Sequence, residues 1–180
     1  SGRDTGSRND LNSGTVYLIP ERREAKFMLG DELGILSPNS ARRSTAITTL
    51  LVVYHSKTGG TRQMVEAAVE AGREAADDLD IVVKEAPEAE PDDLVAADGY
   101  LFATPENLAA IAGEMKAFFD RCYYPVLGKI EGRPYAAMIC AGSDGENARA
   151  QLERICTGWR LKRIADTPIV CTHAQTKQEI

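Results

Sequence analysis

From Leu50 to Thr61 the chain reads Leu-Leu-Val-Val-Tyr-His-Ser-Lys-Thr-Gly-Gly-Thr, an apolar strand that runs straight into a loop of hydroxyls and glycines. A helical pattern begins at once after it. Glycine lets the backbone curl so that several N–H groups point inward together. The helix start adds unpaired N–H groups and the positive end of its dipole. The loop carries one cation, Lys57, so main-chain and hydroxyl donors dominate. Such a turn is either an ordinary strand-to-helix connection with hydroxyl caps or a seat for a phosphate.

Two familiar phosphate motifs do not fit. A Walker A loop places Gly, four spacers and then Gly-Lys-Ser/Thr, whereas Lys57 precedes the glycines here. A dinucleotide fingerprint needs Gly-x-Gly-x-x-Gly, which is also missing. What stands is Ser56-x-Thr58-Gly59-x-Thr61 after a first strand.

The chain around this turn divides in two. Residues 1–46 are rich in Ser, Asn, Arg, Gly and Pro and carry a net charge of +1, which leaves −7 for the remainder. They read as an extension, disordered or loosely packed. Within it the run Phe27 to Leu36 is apolar and amphipathic. A net charge of −6 disfavours a general nucleic-acid binder. No stretch approaches the roughly 18 apolar residues of a membrane span, and no secretory h-region is visible. Cys122, Cys140, Cys156 and Cys171 are widely spaced and lie in apolar runs, with neither His55 nor His173 placed for a metal cluster. They read as buried reduced thiols of a cytoplasmic protein.

From residue 47 to 180 strands and helices alternate, which predicts one α/β domain with a parallel sheet covered on both faces. Strands are expected at Thr48 to His55, Asp80 to Glu85, Gly99 to Thr104, Tyr135 to Ala141 and Thr167 to Thr172. Helices are expected over Gly60 to Ala76, from Pro91, over Ala110 to Tyr123 and after Gly145. In the first of these, Met64, Val65, Ala68, Gly72 and Ala75 share a face. In the third, Ile111, Met115, Phe118, Phe119 and Cys122 recur at helical offsets, and Ala148, Leu152, Ile155, Cys156 and Trp159 repeat them in the fourth. These aromatic and Met positions are core candidates.

In a doubly wound five-stranded sheet of order 2-1-3-4-5, the first, third and fourth strands are neighbours, and ligands bind beyond their carboxyl ends. Three short turns leave those ends: Ser56 to Thr61, Pro105 to Ala109, and Gly142 to Glu146. Their convergence on one crevice is more specific than any one of them.

The run Ala103-Thr104-Pro105-Glu106-Asn107, followed by Gly113-Glu114-Met115-Lys116-Ala117-Phe118-Phe119-Asp120-Arg121, together with the first turn, resembles flavodoxin-like FMN-dependent NAD(P)H oxidoreductases. These include the NADPH-dependent FMN reductases and the flavodoxin-like quinone oxidoreductases. The resemblance spans about residues 48–173 and implies a flavodoxin-like fold with FMN as cofactor and NAD(P)H as reductant. It implies that Ser56, Lys57, Thr58, Gly59, Gly60 and Thr61 hold the phosphate, Lys57 and Gly60 mainly through backbone. Pro105, Glu106, Asn107, Leu108 and Ala109 then border the flavin ring, and Ala141, Gly142, Ser143, Asp144 and Gly145 close its other side. Hydride transfer to a flavin needs no protein base, so no catalytic residue is assigned. Glu106, His55 and Tyr54 are polar candidates near the crevice.

The chain departs from that family in two places. Leu108-Ala109-Ala110 stands where relatives often have an aromatic and a glycine, which removes stacking worth about 1 kcal/mol. Only His173 to Ile180 follow the last strand, so the final helix is expected to be missing. Either the sequence is a fragment, or the Phe27 to Leu36 run or a partner subunit covers that face. Function on this basis is electron transfer from NAD(P)H to a quinone or similar small acceptor, in a possible homo-oligomer. The alternatives are an electron-carrier flavodoxin without its own substrate, and a flavin-free interaction domain. A response-regulator receiver has the same topology but needs acids where Tyr54-His55 and Ala103-Thr104 stand.

Overall fold

The computed structural model of the chain describes residues 49–171. The expected extension at residues 1–46, its Phe27 to Leu36 run, and the expected lack of a helix after residue 172 lie outside the described residues.

Strand β1 (Thr49–Tyr54) is the spine, and its Leu51, Val52 and Val53 are fully buried. A strand covered on both faces needs apolar residues at every position, not at alternate ones. It pairs in parallel with β2 (Asp80–Glu85) on one side and β3 (Gly99–Asn107) on the other, with Val52 opposite both Val83 and Leu101. Strand β3 then pairs in parallel with β5 (Pro134–Ala141), from Tyr100 opposite Tyr135 to Pro105 opposite Cys140. The last lane holds β6 (Lys162–Arg163) beside the start of β5 and β7 (Ile169–Cys171) beside its end. Counted in the five lanes expected from sequence, the order is 2-1-3-4-5, a doubly wound flavodoxin-like sheet.

Two details correct the expectation. The outer lane is two short pieces, β6 and β7, and within the described part of the expected run Thr167 to Thr172 the strand begins at Ile169. Pro168, at the break, has no N–H to give a ladder, though its carbonyl still accepts the Ile139 N–H at 3.0 Å. Secondly, Pro105 to Ala109 is no open loop. Strand β3 continues to Asn107 and folds back antiparallel onto β4 (Ala110–Ile111), so helix α3 (Gly113–Val126) begins three residues later than the periodicity suggested. The buried Thr104 hydroxyl accepts the Ala112 N–H at 3.2 Å and fixes this return.

Helix α1 (Gly60–Ala75) lies on one face, and α2 (Pro91–Ala96), α3 and α4 (Glu146–Gly158) pack on the other. On the α1 face, Val65 and Val69 cover Val52 and Ala103. Within the expected helix face, Val65 is buried, Met64, Ala68 and Gly72 are half-buried and Ala75 is exposed; Val69 takes its place. The opposite face is the main core. There Phe102 and Phe119 meet at 5.3 Å between ring centroids, and Phe119 meets Trp159 at the same distance. Met115, Phe118, Cys122, Leu152, Cys156 and Trp159 are all fully buried, as their spacing predicted. Arg133 closes α2 by donating to the carbonyls of Leu94, Val95 and Ala97. Cys122, Cys140 and Cys156 are buried free thiols, but Cys171 is exposed, because β7 is the outer lane.

Candidate functional site

Because β1, β3 and β5 are adjacent and parallel, the turns leaving them emerge side by side. The first begins where the His55 N–H donates to Ala103 O at 3.1 Å, which ties the turn to the end of β3. The Ser56 hydroxyl accepts the Arg62 N–H at 3.2 Å, reaching forward to the first turn of α1. Gly59 has φ 107, a backbone angle that L side chains rarely adopt. Its carbonyl takes the Gln63 N–H at 3.0 Å and so starts the helix.

The donors between these anchors are unspent. The N–H groups from Lys57 to Thr61 have no acceptor among the described residues. Thr61 is 1% exposed, and its Oγ1 has no hydrogen-bond partner there. Burying a hydroxyl without a partner costs about 1–3 kcal/mol. The Cys140 thiol is its neighbour but forms no hydrogen bond of acceptable geometry with it, and burial pushes that thiol up. No acid stands in the first turn of α1. Free N–H groups, an orphaned hydroxyl and the positive end of a helix together form an anion seat. Lys57 and Thr58 are exposed at its mouth, Gly60 is buried at its base, and Ser56 is half-buried.

The second and third turns are fastened to each other. The Glu106 carboxylate accepts the Gly145 N–H at 3.1 Å and the Ser143 hydroxyl at 3.4 Å. The Asn147 side-chain amide donates to Ala109 O, and the Gln151 side-chain oxygen accepts the Ile111 N–H at 3.2 Å. The Asp144 carboxylate turns back to accept the Glu146 N–H at 2.9 Å. Thus the 105–111 hairpin is latched onto the start of α4. Pro105 and Glu106 are half-buried, Asn107, Leu108 and Ala109 are exposed, and Leu108 stands free at the tip. Ala141 and Gly145 are buried, with Gly142, Ser143 and Asp144 exposed between them.

Leu108 and Ala109 both occupy the left-handed region, at φ 50 and 59. That geometry makes a tight hairpin but disfavours side chains with a Cβ. Gly145 has φ 70, and a Cβ there would lie 2.5 Å from Ile169 Cγ2 and 3.0 Å from Ala141 Cβ. Only glycine lets the third turn lie this close to the sheet.

Every position of the three sequence-defined turns therefore stands at the same end of the sheet. Two polar candidates point elsewhere or serve the scaffold. The Tyr54 hydroxyl donates to Glu85 at 3.3 Å, and Arg62 pairs with the same carboxylate at 3.1 Å. His55 contributes its main-chain N–H to the β3 junction. Asn147, Gln151 and Cys140 complete the crevice and escaped the sequence reading. For Asn147 and Gln151, a polar residue in the first or second turn of α4 is the one available signal, and for Cys140, at the end of β5, there is none.

A concavity of about 600 Å³ lies between α1 and β2, lined by Tyr54, Val65, Val69 and Val83 with Arg62 and several glutamates at its rim. Size favours that groove and donor chemistry favours the turns. The turns are the better candidate, because Tyr54 and Arg62 are already committed to Glu85 whereas the α1 donors have nothing to bind. No group of three or more His, Cys, Asp or Glu is placed to hold a metal among the described residues. No helix among them is long and apolar enough to cross a membrane.

Comparison with known proteins follows from this geometry. The family model described as NADPH-dependent FMN reductase matches residues 83–174, which takes in the second and third turns but not the first. A protein named flavodoxin from Aquifex aeolicus is 31% identical over 96 residues, covering 53% of this chain and 51% of that protein. An NAD(P)H dehydrogenase (quinone) from Acidithiobacillus ferrooxidans is 35% identical over 94 residues, covering 42% and 47% respectively. The chain thus spans about half the length of these curated relatives. Among solved structures, a flavodoxin, WrbA-like protein from Agrobacterium tumefaciens superposes with a TM-score of 0.58 at 19% identity, over 73% of this chain and 88% of that one. That likeness is one of fold.

Proposed function

The chain belongs to the NADPH-dependent FMN reductase family, and from that premise we propose that its three convergent turns hold FMN and that it moves electrons from NAD(P)H to a quinone or similar acceptor. One observation carries the proposal. The N–H groups of Lys57 to Thr61 and the buried Thr61 hydroxyl lack partners at the positive end of α1. A phosphate dianion satisfies all of them together. In this reading Ser56, Thr58 and Thr61 contribute hydroxyls, and Lys57, Gly59 and Gly60 contribute main chain. Pro105 to Ala109 border the ring on one side and Ala141 to Gly145 on the other.

When bound, FMN supplies the two-electron chemistry itself. The residues of the chain bind it, orient it and shape the field around it, and no side chain need act as a general base. The exposed Leu108 tip offers an apolar edge to the ring. The four free thiols suit a reducing compartment, which supports a cytoplasmic location.

A second reading, an electron carrier without its own substrate, is supported by the relative named flavodoxin. Absorbance of the purified protein, with FMN added if it is colourless, tests the cofactor. Anaerobic addition of NADH or NADPH then separates the two functions. Bleaching by a nicotinamide is the result expected of the reductase. Bleaching only by an artificial reductant selects the carrier, and a protein that takes up no FMN overturns both.

A further inference from the structure

We propose that Glu106 is a positioning residue that clasps the two ring-bordering turns and, by its charge, makes a bound flavin harder to reduce. The inference rests on the FMN proposal above and concerns the same site.

The carboxylate spans two segments 37 to 39 residues apart in sequence. It receives the Ser143 hydroxyl and the Gly145 N–H on one oxygen. Gly145 precedes the first residue of α4, so this N–H belongs to the orphan set at a helix start. An acid suits that position because it meets both the donor and the dipole. No Lys, Arg or His pairs with Glu106 among the described residues. Its partners are the Gly145 N–H at the start of α4 and the Ser143 hydroxyl, so its negative charge is not cancelled by a cation.

The clasp has mechanical support. Asn147 to Ala109 and Gln151 to Ile111 hold the same hairpin to the same helix. The hairpin turn at Leu108 and Ala109 is strained, and strain of this kind persists where neighbouring contacts over-determine it. Reduction adds negative charge to a flavin. A half-buried carboxylate fixed between the turns that border the ring opposes that charge. Charge near the ring is one of the levers by which a protein tunes this cofactor.

Three variants separate clasp from charge. Glu106→Gln keeps an oxygen for Gly145 and loses the charge. It is expected to bind oxidised FMN within about twofold of wild type and to bind reduced FMN about tenfold more tightly. By the two-electron relation that is a rise of about 30 mV in midpoint potential, read by reductive titration against a reference dye. Glu106→Ala loses both roles. It is expected to show the same rise, about tenfold weaker binding of oxidised FMN, and faster hydrogen exchange at the Gly145 amide of the FMN-free protein. Glu131→Gln removes a carboxylate at the opposite end of the sheet, where it pairs with Arg160, and should leave the potential where it is.

Equal potentials for wild type and Glu106→Gln overturn the electrostatic role. A shift of the same size in Glu131→Gln overturns it too. Unchanged exchange at Gly145 in Glu106→Ala overturns the clasp. If wild type takes up no FMN, the FMN proposal falls and this one with it, and that result is reached before any variant is compared.

Discussion

Two helices begin at the same end of the sheet, and they treat their first N–H groups in opposite ways. At α4, Glu106 takes the Gly145 N–H, Asp144 takes the Glu146 N–H, and Glu146 itself stands in the first turn. At α1 there is no acid, and Thr61 keeps a buried hydroxyl without a partner beside free main-chain donors. A helix start is short of acceptors by geometry. Where the chain supplies carboxylates, the end is closed to an anion by both occupancy and repulsion. Where it supplies none, the deficit is left for a ligand to fill. The proposal of a dianion site at the α1 end thus rests less on what that end contains than on what the otherwise similar α4 end contains instead.

The largest expected effect strikes the α4 end. Gly145→Val drives a branched side chain into Ile169 and Ala141 at a left-handed φ of 70. Strain and overpacking together should remove about 3 kcal/mol or more of stability, seen as an earlier urea midpoint. An unaltered midpoint means that the close approach of this turn to the sheet is not what holds α4. Next comes the transfer of the α4 device to α1. Thr58→Asp puts a carboxylate at the mouth of the anion seat. The FMN-free protein should be as stable as wild type or gain up to about 1 kcal/mol from the helix dipole, while FMN affinity drops about a hundredfold through like-charge repulsion. Retained affinity, measured by flavin fluorescence quenching, would show that the α1 end is not where the phosphate binds. Thr61→Val is milder and splits the two readouts. Removing an unsatisfied buried hydroxyl should raise FMN-free stability by about 1 kcal/mol, yet weaken FMN by about tenfold. A variant that is less stable and binds equally well has the hydroxyl serving the scaffold instead.

Much of this contrast was legible in the chain. The continuous apolar run Leu51 to Val53 announces a strand covered on both faces, and hydroxyls with glycines before a helix announce the open end. The core was legible for the same reason: Met115, Phe118, Phe119 and Cys122 repeat at helical spacing, and all are buried. The hairpin was not. Ile111 lies in phase with the helix that follows, so periodicity alone extends α3 backwards over a strand. Its turn also lacks the Asn-Gly or Gly-Gly pair that signals a left-handed two-residue loop. The split outer lane was hidden because an edge strand needs no long apolar run, which leaves Lys162 and Arg163 without any strand signal. Glu106 could be named from sequence as a border residue, but its bonds to Ser143 and Gly145 cross 37 and 39 positions. Local pattern says nothing about contacts of that range.

The smallest effect concerns the Leu108–Ala109 turn, and it asks whether the strain on the α4 side is structural or functional. A leucine at φ 50 costs stability, and its side chain stands in solvent with no packing to offset that cost. Leu108→Asn keeps the hairpin geometry, because asparagine tolerates the left-handed region better than leucine. The FMN-free protein should therefore gain about 0.5–1 kcal/mol, measured by urea unfolding. If Leu108 does nothing else, binding of oxidised FMN is unaltered. If the side chain covers the ring, the same substitution weakens FMN several-fold even as the protein becomes more stable. Opposite signs for stability and affinity would then appear on this side of the crevice too, as they are expected to at Thr61. Both ends would then hold a residue the fold alone does not favour, through a buried hydroxyl at α1 and an exposed leucine at the hairpin tip.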